Sequence, residues 1–433
     1  MAGSLLRGAP RNRRGPEEAP GFPETDGIFP ICNILLAVLF GLVQAVCYGN
    51  VDVFSAILNS TFENAKTGFE LSLGLTGVLA LWMGIMKIGE KAGAVNSLGK
   101  GINPFFSRIF PEIPKNHPVF GTMTMNFAAN MLGLDNAATP MGLKAMSELQ
   151  ELNTDKTKAS NAMIMFVVLG ASGLTLIPTT IMAYRAQLGA ANPADVFLPI
   201  LIATYVATLV GLICVCVAQK IRLKDPIVLG SLIGLTALVG LLVWGATLLN
   251  PHTLSVFSAA VAAVLLLGVI CWFIIQATAK KINVYDAFID GAKGGFQTAV
   301  GIIPYLIAIL VAVGMFRACG AMNLLEQGIA WCFAACGINP DLAGAVPTAL
   351  MKPLSGSGAR GLMLEAMTTH GADSMVGRLC CILQGTTDTT FYVLAVYFGS
   401  VNIKHTGHAV ACCLLADLAG AITAFVIAPI FFG

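Results

Sequence analysis

The chain has 433 residues, of which 56% are hydrophobic and only 11% charged, with a formal net charge of +2. An ordinary soluble domain carries roughly a quarter charged residues, so a water-soluble globule is excluded and a chain that crosses a membrane many times is expected. The basic residues sit in the loops between apolar runs, which leaves no electrostatic footprint for nucleic acid.

Residues 1–27 hold Arg7, Arg11, Arg13 and Arg14, then Glu17, Glu18, Glu24 and Asp26, among several prolines. With too little apolar content to fold alone, they read as a disordered cytoplasmic tail. The apolar run that follows is longer than a signal peptide's h-region of roughly 7–15 residues, and more such runs come after it, so an uncleaved first helix is predicted. Runs near 20 residues suffice for the ~30 Å hydrocarbon core. They occur at 28–48, 69–88, 161–183, 196–218, 226–248, 255–277, 297–316, 376–399 and 408–432, predicting nine spans. Nine of the twelve cysteines fall inside these runs, and they read as small packing residues. His405 and His408 lack a third ligand, so no metal site is expected, nor any cofactor.

An internal repeat organises the chain. Residues 65–98 and 292–325 align without gaps at an offset of 227, with Ala65, Lys66, Gly68, Phe69, Gly74, Leu79, Gly93, Ala94, Asn96 and Leu98 identical in the second copy. Shared Leu and Ala could arise by chance between apolar helices; shared Lys, Asn and Gly in register could hardly do so. Each copy continues with a short apolar piece broken by small polar residues, a stretch ending in Ala-Met (Ala145-Met146, Ala366-Met367), and two full spans. The reading is a first repeat at 28–222, a bridging helix at 223–251 and a second repeat at 252–433.

The short pieces, 118–133 with 136–150 and 342–354 with 361–369, have about 15 residues per arm, ~22 Å at 1.5 Å per residue, too short to cross alone. They are expected as re-entrant hairpins. Four spans per half plus one bridging span start the second half on the opposite side, predicting an inverted repeat. With the N-terminus inside, 19 of the 25 Lys and Arg are cytoplasmic; only Lys66, Arg185, Arg317, Lys352, Arg360 and Arg378 lie outside, as the positive-inside rule requires. The fold class is therefore all-α and polytopic, with re-entrant hairpins and broken helices.

Inverted repeats with broken helices place transporter sites near the midplane. The polar breaks are GLDNAATPMG (133–142) and GASGLTLIPTT (170–180) in the first half, KPLSGSGARG (352–361) and QGTTDTT (384–390) in the second. Asp135, Asn136, Thr139, Lys352, Ser355, Ser357, Arg360, Gln384, Thr386, Thr387, Asp388, Thr389 and Thr390 are the candidate solute-binding residues, and Asp388 and Asp417 the ion-coupling candidates, because an intramembrane acid points to function. The structural alternative has the threonines bonding their own helix and Asp388 pairing with Arg360 or Lys352. Asn126 and Asn130 read as cross-helix hydrogen-bonding residues. Residues 356–361 match G-x-G-x-x-G, but no strand precedes them, so a dinucleotide fold is not expected. No zinc helix, nucleophile elbow or P-loop is present, so no enzyme is expected.

The first half, through FPEIPKNHP, GLDNAATPMGLKAM and LTLIPTT, resembles the spore maturation protein A family. The second, through IPYL, GMFRACGA, KPLSGSGARG, QGTTDTTFYVLAVYFG and LLADLAG, resembles the spore maturation protein B family. Both carry the nucleoside-recognition, or gate, domain. The resemblance covers about 30–220 and 255–433, and implies a multi-pass protein of the bacterial inner membrane in which the two are fused. In spore formers that pair is associated with spore core dehydration, while the domain takes its name from nucleoside transporters. The expected function is secondary transport of a small polar solute, anionic or nucleoside-like; the alternative is a non-transporting membrane protein in spore or envelope maturation. Membrane lipid and the solute are the expected partners, and a homo-oligomer is left open.

Overall fold

The computed structural model describes residues 25–114, 117–132, 135–221, 225–335 and 337–433, and the tail expected at 1–27 lies almost wholly outside them. Among the described residues every regular element is a helix. The first half runs α1 (Thr25–Tyr48), α2 (Asp52–Ala92), α3 (Ala94–Ile109), α4 (Val119–Met131), α5 (Asp135–Leu152), α6 (Asn161–Ala171), α7 (Thr179–Gln187) and α8 (Phe197–Ala218). After α9 (Pro226–Thr247) come α10 (Pro251–Ala279), α11 (Val284–Ala318), α12 (Ala321–Ala335), a 3-10 turn (Pro340–Ala345), α13 (Val346–Met351), α14 (Gly356–His370), α15 (Met375–Thr386), α16 (Thr390–Ser400) and α17 (Ala409–Phe432). Eight described segments are long and apolar enough to cross a membrane. The chain is an all-α, polytopic membrane protein.

Three features differ from the sequence expectation. The spans expected at 69–88 and 297–316 are the cores of α2 and α11, helices of 41 and 35 residues. The span expected at 161–183 stops after Ala171 and resumes at Thr179, because Pro178 cannot donate to a helical ladder, and the turn brings Gly173 so close to Gly170 O that an added Cβ would lie 2.8 Å from it. Two further helices, α3 and α12, follow the long ones. They begin at equivalent positions, each just after a glycine in the left-handed region, Gly93 at φ 77° and Gly320 at φ 81°, where a Cβ is penalised.

The centre of the fold is the antiparallel packing of α2 on α11. A Cβ added at Gly295 would lie 2.5 Å from Ala80 Cα, and one at Gly68 would lie 3.2 Å from Ile307 Cα. At the 227-residue offset Gly68 corresponds to Gly295 and Ala80 to Ile307, so the two contacts are one contact made twice. Gly291 against Lys87 and Gly314 against Asn64 form a second such pair. Helices in lipid gain little from hydrophobic association and depend on close approach, which small residues permit. α8 and α17 repeat the pattern, with Gly211 against Ala416 and Gly420 against Ala207. Around these pairs α1 packs on α11 and α10 on α2.

The broken spans α6–α7 and α15–α16 also lie antiparallel, and the two ends are fastened differently. At one end, Ala159 N–H donates to His405 O at 2.9 Å and Lys404 N–H to Thr157 O at 2.9 Å. There the Thr157 amide and hydroxyl hold the Asp155 carboxyl below its usual range. At the other end, Arg185 is fully buried and donates to Asp195 Oδ1 at 2.9 Å, Asp373 Oδ1 at 3.0 Å and Ala372 O at 2.6 Å. Asp195, also fully buried, accepts from Arg378 Nε at 2.9 Å.

Two outcomes are expected in thermal melts of the detergent-solubilised protein. Gly295→Val forces a side chain against Ala80 and should cost ~1–3 kcal/mol, while Gly301→Ala, with nothing within 4 Å of the added carbon, should leave the melt unchanged or raise it. Arg185→Gln leaves Asp195 and Asp373 short of their shared cation and should cost ~3–5 kcal/mol, as removal of one partner from a buried pair does.

Candidate functional site

Each hairpin tip is bonded to the break of its own half. Leu176 N–H donates to Met131 O at 3.0 Å, and Phe391 N–H donates to Pro353 O at 3.1 Å. The two breaks also touch, through Asp388 N–H donating to Ala171 O at 2.8 Å. Irregular backbone at membrane depth is tolerated where it is enclosed by protein or lines a polar cavity, and both conditions are met here. Between the tips and the breaks lies a cavity of about 380 Å³.

Six of the residues expected at the site line this cavity: Thr139, Lys352, Arg360, Gln384, Thr387 and Asp388. Gly170 and Gly385, at matching places in the two broken spans, line it as well. The remaining expected residues have other surroundings. Ser355 caps α14, accepting from Gly358 N–H at 3.0 Å, with Ser357 Oγ 3.2 Å from its hydroxyl. Thr386 Oγ1 donates to Ile382 O within its own helix at 2.6 Å, as the structural alternative anticipates. Thr389 lends its backbone N–H to Asp388 Oδ1 at 2.7 Å and packs its side chain on Gly356. Thr390 donates to Asp417 Oδ2 at 2.7 Å, and both are buried away from the cavity. Asp135 and Asn136 open α5, and their side chains lie outside the described residues.

The cavity is also lined by residues that were not among the solute-binding candidates. Thr175, Thr179 and Thr180 come from a break flagged in the sequence, whereas Asn130, Tyr184, Tyr392 and Tyr397 come from helices. The signal for the last two is the tyrosines' spacing along α16, which puts them with Val393 and Val396 on the cavity side. Asn126, fully buried, donates to Ala138 O at 2.7 Å and to the Tyr397 hydroxyl at 3.4 Å, so it does bond across helices.

The charged groups described in the wall, Lys352, Arg360 and Asp388, all come from the second half. Among the described residues no carboxylate lies within 4 Å of the Arg360 guanidinium, and no basic nitrogen lies within 4 Å of the Asp388 carboxylate. Arg360 and Asp388, both in the wall, are therefore not paired with each other. The first half supplies hydroxyls, an amide and the first turn of α7, which opens at Thr179 with no side-chain cap. Such a wall offers a guanidinium, an ammonium, a carboxylate and aromatic faces to one small polar solute.

Comparison with known proteins identifies the family. The nucleoside recognition (Gate) family matches residues 72–188 and 299–404, ranges that take in both breaks. Spore maturation protein A of Bacillus subtilis (strain 168) is 41% identical over 170 residues, 39% of this chain and 85% of that protein. Spore maturation protein B of the same organism is 39% identical over 186 residues, 43% of this chain and 98% of that protein. With more than half of its length matched, the chain is a member of the nucleoside recognition (Gate) family.

Proposed function

We propose that the protein is a secondary transporter that carries a small polar solute, anionic or nucleoside-like, across the bacterial inner membrane. The observation that carries this reading is the cavity itself, lined by both hairpin tips and both broken spans, with Arg360 and Asp388 in its wall. In the proposed mechanism Arg360 and Lys352 receive the anionic edge of the solute, Asp388 and Gln384 its donors, and the tyrosines its flat faces. The halves are oppositely oriented, with the N-terminus cytoplasmic. The antiparallel pairing of α2 with α11 and of α8 with α17 supports that arrangement, as does the charge distribution of the loops. Alternating access then consists of one half rocking against the other about α2 and α11. No catalytic step belongs to this reading. The printed names of the two Bacillus relatives favour a second one, a role in spore or envelope maturation without transport.

Uptake of an untargeted metabolite mixture into vesicles holding the purified protein separates the two. Transport predicts accumulation of a defined solute, and its absence under every imposed gradient favours the maturation role. Arg360→Gln should weaken the apparent affinity about 10- to 100-fold, the equivalent of losing a charge-assisted hydrogen bond of ~1.5–3 kcal/mol. Its melt should stay that of the wild type, since no carboxylate among the described residues is within ion-pair reach. Orientation is checked by labelling single cysteines placed at Lys66 and Lys293 with a membrane-impermeant reagent. Opposite accessibility is expected, and labelling from the same face would sink the inverted arrangement.

A further inference from the structure

Asp417 lies off the cavity, on α17, and no step of the transport reading uses it. It is 7% exposed. Its Oδ2 accepts a hydrogen bond from Thr390, itself fully buried, at 2.7 Å, and its Oδ1, shielded from solvent, has no hydrogen-bond partner among the described residues. No Lys, Arg or His nitrogen described lies within 4 Å of it. A carboxylate taken out of water into such surroundings costs many kcal/mol unless it is paired, and the usual resolution is neutralisation.

The other charges nearby do not supply the pairing. The charged groups that act on Asp417 from a distance are Lys352 of the hairpin and Asp388 of the break, which are of opposite sign. On its own helix the nearest titratable side chain is Cys413. α6 and α9 carry no titratable side chain. On α8, Tyr205 is bonded to Thr236, Cys214 faces Cys412, and Cys216 is buried. Arg378 of α15 is committed to Asp195, Tyr392 and Tyr397 of α16 face the cavity, and Cys271 of α10 is exposed.

The position has a mechanical consequence. Thr390 is the first residue of α16, so the bond to Asp417 ties α17 to the helix that starts at the break. Thr387, on the cavity wall, also brings its hydroxyl to the Asp417 carboxyl and packs one turn further along α17, at Gly420.

We propose that Asp417 is a proton-binding site: it is held as the neutral acid while the α15–α16 break is packed on α17, and it exchanges its proton when that contact opens. On opening, the O–H bond of the acid breaks and the proton passes to an entering water molecule, leaving a hydrated carboxylate. Repacking the break requires the carboxylate to take a proton back. If the two events face opposite sides of the membrane, each cycle moves one proton, and this coupling step alone rests on the transport reading above.

Infrared spectroscopy of the full chain in vesicles reads the protonation directly. The wild type should show the carbonyl stretch of a protonated carboxylic acid, shifted on exchange into heavy water. The band should be absent in Asp417→Asn and present in Asp388→Asn. Asn mimics the neutral acid, so the melt of Asp417→Asn should match the wild type. If that variant fails to fold, Asp417→Glu should move the band instead of removing it. Absence of the band in the wild type, or its persistence in Asp417→Asn, overturns the proposal. So does a sodium-dependent rise in melting temperature that Asp417→Asn loses, which would make the site a metal-cation site. For the coupling step, uptake driven by a pH gradient should be lost in Asp417→Asn. Uptake that still follows the gradient overturns coupling through Asp417, whereas the band without any uptake in the wild type overturns the transport reading and leaves the proton site standing.

Discussion

The close approach of α2 to α11 is the constraint on which the remaining structure hangs. Two helices of such length, crossing antiparallel with glycine against backbone at Gly68, Gly291 and Gly295, leave no slack for sliding. A displacement that opens one contact opens its counterpart in the other half. From the two ends of this pair the chain turns through Gly93 and Gly320, whose left-handed φ values set the directions of α3 and α12. The hairpins and broken spans that follow are thereby brought together around one cavity.

That delivery resolves a difficulty particular to lipid, where interrupted helices expose backbone groups that water cannot satisfy. The interruptions in the two halves answer one another: the carbonyl at each hairpin tip accepts the amide that its neighbouring break sets free. Polar side chains then separate into two kinds. Arg185, Asp195, Asp373 and Arg378 saturate each other and act as a fastening, while Arg360 and Asp388 are held apart and face open space. Burial and charge alone do not distinguish the two kinds; the distances between opposite charges do.

Much of this was legible in the sequence, and the parts that were not share a cause. The repeat, the hairpins and the QGTTDTT break follow from apolar periodicity and from small polar residues at matching offsets. The extent of α2 did not, because Glu63, Lys66 and Glu70 lower the local hydropathy without disfavouring a helix. The stretch after Ala171 was marked as a polar break, yet GASGL is apolar enough that 161–183 still read as one uninterrupted span. Ser355 and Ser357 looked like ligands by composition, yet a serine before a helix has a competing use as a cap. Tyr184, Tyr392 and Tyr397 were hidden for the opposite reason, since an aromatic residue in an apolar helix reads as packing until it is seen to line a cavity.

The bridging helix α9 makes little of the core. Only 6% of its apolar window is buried inside the protein, so its surface is left almost wholly to lipid, and its chief effect is that of a tether. Two units that pair through extensive contacts would otherwise have to find each other by diffusion in the bilayer, in equal numbers. Joining them turns association into an intramolecular step at high effective concentration, and fixes their stoichiometry at one to one. Weak packing is then no defect in α9, for a tether has only to keep the two units together.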